Sequence, residues 1–255
     1  QAASYTDPRR SPVRRRDGVR FAVELQRRYF RRMLDSLEKM GLRVPVTGVV
    51  AGLSVPDTFS AAREFGFTAE NMYQEHPEFE PGRPWLPPAY YRNTNYLKTN
   101  DSHSGIPFVT LYRWSGRPLA VREWATSWPN EYRASGILEM AAYGRLQDID
   151  ALLAFAYYTT GDFTRITPFG LNSDPVRWGM FALGAQIFLG EETVRPAERL
   201  VQIAYSPEDL SACSAWTDPL HTMAWVHRVE NVLLTPDFQT SADLLLLSGR
   251  SHATG

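Results

Sequence analysis

Helix-period stretches alternate with short apolar, β-branched runs along most of this chain, and that order constrains the fold more than any other feature. From Gly18 to Met40 apolar residues recur at helical spacing (Val19, Ala22, Val23, Tyr29, Phe30, Met33, Leu34, Leu37), and Gly41 supplies a stop. "VPVTGVV" (44–50) reads as a buried strand with Pro45 near its start. Asp57 can cap a short helix reaching Phe65, and "FTAENMY" (67–73) is a weaker strand pattern. Pro107 suits the first turn of a helix to Arg113, and Gly116 turns the chain into a strand, "PLAVRE" (118–123). Asn130 precedes a helix reaching about Leu146, and then comes "IDALLAFAYY" (149–158), so uniformly apolar that it predicts a parallel strand buried on both faces. Asp174-Pro175 caps and opens a last helix ending near Gly190.

Alternation of this kind predicts parallel strands joined by helical crossovers, an α/β fold. A doubly wound sheet is less well matched, because no glycine-rich phosphate loop follows any strand pattern. A (β/α)8 barrel fits better, with its functional residues where strands end and loops begin. Four strand–helix units make about half of one. Residues 1–17, polar and rich in Pro and Arg, read as a linker, and 18–195 as the half-barrel. Beyond a boundary near 192–197, residues 196–255 read as the start of an incomplete, β-rich domain. There "ERLVQIAY" (198–205) alternates like a strand, and 220–234 suits helix or strand. The closing run 243–247 has nothing after it to pair with, so the sequence reads as a piece of a longer protein.

The totals restrict the partners. A net charge of −1 over 255 residues gives no bulk field for nucleic acid or an anionic membrane. The arginine runs at 9–16 and 27–32 are offset by acidic residues elsewhere, and the second reads as a solvated helix face. No run of about 18 apolar residues predicts membrane insertion. One cysteine, Cys213, permits no internal disulfide, and the five histidines have no metal-ligand spacing, so no metal or other cofactor is expected. Oligomeric state is not legible.

The connection from Gln74 to Gly105 is far longer than the roughly 12–15 residues beyond which loops are usually functional or disordered. It carries Trp85, Tyr90, Tyr91 and Tyr96 among prolines and asparagines, too aromatic for typical disorder. Aromatic faces stack on pyranose rings and amides bond hydroxyls, so such a loop suits sugar. The same rings could equally pack the loop onto the scaffold. At the end of "PLAVRE", Glu123 stands before "WATSWPN": a carboxylate at a strand end facing an aromatic loop. Successive strand residues point to opposite faces, which would separate it from Arg122.

The stretch "REWATSWPNEYRASGILEMAAYGRLQDIDALLAFAY" resembles retaining glycosidases of the large (β/α)8 clan that includes cellulases, mannanases and β-galactosidases. The resemblance rests on Glu123, Trp124, Pro129, Asn130, Tyr132, Arg133, Ala141, Ala142, Tyr143, Gln147 and Asp150. "RRYFRRMLDSLEKMGLRVPVTG" resembles the helix and strand five of such barrels, and "SDPVRWGMFALGAQIF" their closing helix, so it covers 18–195. It implies the C-terminal half of the barrel, strands five to eight, and a retaining β-glycosidase acting on a polysaccharide or oligosaccharide, secreted or periplasmic. Glu123 would be the nucleophile, and Tyr73, His76, Trp85, Trp128 and Tyr157 would bind sugar. A retaining mechanism also needs an acid/base carboxyl about 5–5.5 Å from the nucleophile. Glu70, Glu75, Asp101 and Asp162 are available, but none stands in the clan's Asn-Glu pattern, which places the acid/base outside this sequence. Two positions depart from the clan: Asn71 replaces a frequent His, and Arg122 replaces the usual Ser or Thr. The competing expectation is a non-catalytic carbohydrate-binding or scaffolding relative.

Overall fold

The computed structural model describes residues 9–48, 55–83, 89–98, 105–190, 192–212 and 219–248. It opens with helix α1 (Pro12–Lys39), six residues earlier than the apolar period predicts. Ser11 caps it by accepting from the Arg14 amide at 3.4 Å, and Pro12 occupies the first turn. Arginine is a good helix former, so "PVRRRD" is helix where a linker was expected. Nor is the 27–32 run simply solvated. Glu64 of α2 (Val55–Glu64) takes Arg27 at 2.6 Å and Arg31 at 2.7 Å. Burial alone would raise the Glu64 carboxyl, but these two arginines hold it below its ordinary range. Beneath the pair, Phe30 meets Phe65 with ring centroids 4.8 Å apart.

The strand expected at 44–50 is absent over the described residues 44–48, and 49–50 lie outside them. The segment is tied by a side chain instead of a ladder: the Thr47 hydroxyl donates to the Phe67 carbonyl at 2.9 Å. Gly48 fits between Phe65 and Phe30 so closely that a Cβ would overlap the Phe65 ring.

Next come β1 (Thr68–Gln74), a small hairpin of β2 (Glu78–Phe79) and β3 (Ala89–Tyr90), and α3 (Gly105–Thr110). After these follow β4 (Leu119–Thr126), α4 (Arg133–Leu146), β5 (Ala151–Ala154) and α5 (Pro175–Leu189). Strands β1, β4 and β5 form one parallel sheet in that order, each new strand added on the same side. The long apolar run 149–158 yields only four strand residues and is not buried on both faces: among the described residues β5 is an edge strand, and Leu153 is 53% exposed.

The C-terminal region is α/β as well, not a β-rich module. Strands β6 (Leu200–Tyr205), β7 (Arg228–Leu233) and β8 (Leu244–Leu247) are all parallel, ordered β7-β6-β8. Helix α6 (Pro207–Ala212) and a 3₁₀ segment, Pro219–Trp225, lie between β6 and β7, so 220–234 is half helical and half strand. The closing run does pair, from Val201↔Leu244 to Ala204↔Leu247.

The two sheets share one buried cluster, in which Ile203, Tyr205 and Val229 join Leu111, Trp114 and Val121. Polar staples cross the expected boundary. Asn231 Nδ2 donates to the Thr110 and Leu111 carbonyls at 3.2 and 2.9 Å, and its Oδ1 accepts from His221 Nε2 at 2.9 Å. Gln147 Nε2 donates to the Ala224 carbonyl at 2.7 Å, while its Oε1 accepts from the Val229 amide at 3.0 Å. No helix of the described residues is long and apolar enough to cross a membrane.

Candidate functional site

The site begins with an irregularity in the β1–β4 ladder. Glu70 pairs with Val121 and Asn71 with Glu123, leaving Arg122 as an extra residue, a β-bulge. The freed Asn71 amide donates to the Glu70 carboxylate at 2.8 Å. Arg122 Nε donates to Asn71 Oδ1 at 2.8 Å, and the Tyr73 hydroxyl donates to Glu123 Oε2 at 2.5 Å. Asn71 and Tyr73 are two apart on β1 and share a face. Arg122 and Glu123 therefore reach the same face, which corrects the expectation that alternation separates them. A bulge is the reason: the extra residue breaks the two-residue period.

Both partners are half-buried, in the C-terminal half of strands that run parallel. Strand β4 continues three residues past Glu123 to Thr126, so the carboxylate sits inside the strand's last turn of pleat, not at its end. A wall of rings surrounds Tyr73. Its centroid lies 5.3 Å from Phe169, 6.0 Å from Phe155 and 5.8 Å from His76. Burial, reinforced by the bond to Glu123 and its charge, pushes the Tyr73 phenol well above its ordinary value. The shift favours the protonated phenol, the form that donates to Glu123.

Two devices hold the flanking loops. Glu75, with φ +68°, is buried and spends its carboxylate on the Asn93 amide at 2.6 Å and on Asn130 Nδ2; the Ser127 hydroxyl donates to its carbonyl at 3.0 Å. Burial and then the Glu75 charge raise the phenols of Tyr91 and Tyr96, as expected of rings packed over that anchor. Behind the post-β5 loop, Asp174 caps α5 through the Val176 amide at 3.0 Å. It also takes Arg133 Nε at 2.8 Å and Arg177 Nε at 2.9 Å. The buried Arg177 then donates to the Gly170 carbonyl at 2.5 Å.

The expected site residues are only partly brought together. Glu123, Tyr73 and His76 share the ring wall, with His76 exposed and its Nδ1 3.1 Å from the Pro77 carbonyl. Trp128 is half-buried, its amide donating to the Pro168 carbonyl at 2.9 Å, which places it where the loops after β4 and β5 meet. Tyr157 lies apart from that wall in an exposed cluster, 5.8 Å from Trp178 and 6.1 Å from Tyr158. Trp85 and Asp101 lie outside the described residues. Gln147, matched to the clan pattern, serves the staple to the second sheet.

None of the other described acid/base candidates has an idle carboxylate. Glu70 is buried and raised, burial outweighing the Asn71 amide and Arg122. Glu75 is the loop anchor, and exposed Asp162 accepts from the Thr164 amide and hydroxyl at 3.0 and 2.6 Å. Among the described residues no group of three or more His, Cys, Asp and Glu could hold a metal. Sequence reasoning missed the Arg122–Asn71 pair, because a bulge leaves no mark in composition or period. It also missed Arg177, although an arginine three residues after a capping aspartate is a readable signal. Comparison with family models, curated proteins and solved structures finds nothing that matches this chain.

Proposed function

We propose that this chain supplies the nucleophile half of a retaining β-glycosidase, with residues 18–195 as the C-terminal half of a (β/α)8 barrel. The observation that carries the reading is the 2.5 Å hydrogen bond from Tyr73 to Glu123, inside parallel strands and against a wall of rings. A glycosyl-enzyme mechanism needs a carboxylate held in one orientation, with one oxygen bonded and the other directed at the anomeric carbon. Tyr73 bonds Oε2 and leaves Oε1 for attack. Strands, not loops, fix both groups, as positional catalysis requires. In attack, an Oε1 lone pair forms the bond to the anomeric carbon as the glycosidic C–O bond breaks. The leaving oxygen takes its proton from an acid/base carboxyl contributed from outside this sequence.

The test is a 2-deoxy-2-fluoro glycoside with an activated leaving group, given to the protein in its complete form. The expected result is covalent label on the peptide containing Glu123; label on another carboxylate removes the assignment. A second reading, a carbohydrate-binding relative without catalysis, draws on the structural engagement of Glu70, Glu75 and Asp162. It predicts saccharide binding with no label.

A further inference from the structure

The bulge puts a guanidinium where the proposed nucleophile works, and its bonding is unfinished. Arg122 carries five N–H donors. Nε is spent on Asn71 Oδ1 at 2.8 Å, and Nη2 stands 3.7 Å from Glu70 Oε1, an ion-pair distance too long for a hydrogen bond. The Nη edge makes no hydrogen bond among the described residues, although the side chain is only 27% exposed. Its counter-charge is weak as well. Glu70 Oε1 already accepts from the Asn71 amide, and burial favours the neutral form of that carboxyl. Asn71 fixes the plane of the guanidinium by holding Nε, which leaves the outer edge to meet two oxygens of an oxyanion with parallel bonds.

Resting on the glycosidase reading, we infer that Arg122 recognises an anionic substituent on the sugar ring bound at Glu123, so that the substrate is an acidic glycan bearing a uronate carboxylate or a sulfate ester. The bulge is what makes this possible. Without it Arg122 would project to the opposite face of β4, and the cleft would offer an anionic ring only the repulsion of Glu123. Asn71 and Arg122 are also the two positions at which the strand sequences depart from the glycosidase clan they resemble, and here they bond to each other.

Calorimetric titration of the Glu123→Gln protein in its complete form, which binds without turnover on this reading, tests this with 4-nitrophenyl β-glucuronide, β-galacturonide and β-galactoside 6-sulfate. The neutral β-glucoside and β-galactoside are the references. The expected result is that at least one charged sugar binds about tenfold tighter than its neutral counterpart, a preference that shrinks as salt rises. A uronide preference identifies the carboxylate as the ligand, and a sulfate preference the sulfate. In the same background, Arg122→Gln should abolish the preference; Arg122→Lys should keep part of it, since charge survives without the fork. Protein with Arg122 intact that binds neutral sugars as tightly as every charged one, or binds no charged sugar, overturns the proposal whatever the Arg122 variants do. The two readings fail separately: label at Glu123 with no charge preference removes only the acidic substrate, and charge preference with no label removes only the nucleophile.

Discussion

Both sheets are three-stranded and wholly parallel, yet they are wound differently and finished differently. In β1-β4-β5 the strand order follows the chain; in β7-β6-β8 the first strand lies in the middle and the order turns back on itself. The central strand of the second sheet, β6, is buried at five of its six residues, and Ile203 and Tyr205 have no exposed surface. The central strand of the first, β4, is half-buried at Ala120, Arg122 and Glu123 and carries a bulge. Buried along its length, β6 spends the amide of Gln202 within the fold, on Glu230 and Thr240. A strand with one open face can hold a carboxylate, a guanidinium and a phenol at half-burial, where charge is retained and water partly excluded. On the proposed reading the chemistry belongs to the first sheet, while the second is tied to it through the shared core and the staples at Gln147 and Asn231.

The sharpest way to break that assignment is Glu123→Gln in the complete protein. Turnover should fall by at least about a thousandfold, with unchanged thermal unfolding, because the covalent step is lost and a neutral amide still accepts from Tyr73. A near-wild-type rate moves the chemistry elsewhere. Next in size is Asp174→Ala. It leaves Arg133 and the buried Arg177 without their shared counter-charge and should cost about 3–5 kcal/mol in urea unfolding. A cost below about 1 kcal/mol would mean that the loops behind the site are held by something else. Ile203→Ala tests the second sheet itself. A fully buried isoleucine should cost about 2–5 kcal/mol, in one transition shared by both sheets. Two separate transitions would make the second sheet an independent unit.

Legibility in the sequence followed the same division. Period and caps announced α1, α4 and α5, and the alternation of "PLAVRE" announced β4, because those signals are local. Val44–Gly48 has the composition of a strand but the space of a packing element, since Gly48 is there to admit two phenylalanine rings. The run 149–158 reads as strand throughout, because an apolar stretch looks the same whether it enters a core or, as at Leu153, Tyr157 and Tyr158, stays exposed. The parallel pairing of β6, β7 and β8 depends on contacts between distant segments, and alternation in "ERLVQIAY" does not say which way its neighbours run. At the site, Glu123 could be picked out from its context and Tyr73 from its resemblance. The Arg122–Asn71 pair could not, because a one-residue register shift is written in the partner strand, not in the residue that bulges.

The smallest expected effect concerns a carboxyl that no motif announced. Glu139, on α4, is 4% exposed, and its Oε1 has no hydrogen-bond partner among the described residues. Burial pushes it up to about 7, the neighbouring Gln74 amide offsetting only part of that. A carboxyl raised in the folded state binds its proton more tightly there than in the unfolded chain. Its contribution is therefore complete below the ordinary glutamate range and is lost as pH climbs through that range to about 7. Asp174, held low by Arg133 and Arg177 against the opposing effect of burial, has the opposite sign: its contribution stands above the ordinary aspartate range and fails only in stronger acid. Glu70 is raised like Glu139 and adds to the same slope, so the difference between wild type and Glu139→Gln isolates one group. Urea unfolding at pH 5 and pH 8 should show the variant gaining about 1–3 kcal/mol on wild type at the higher pH and little at the lower. A variant that tracks wild type at both values would mean that Glu139 is paired or solvated in the folded protein.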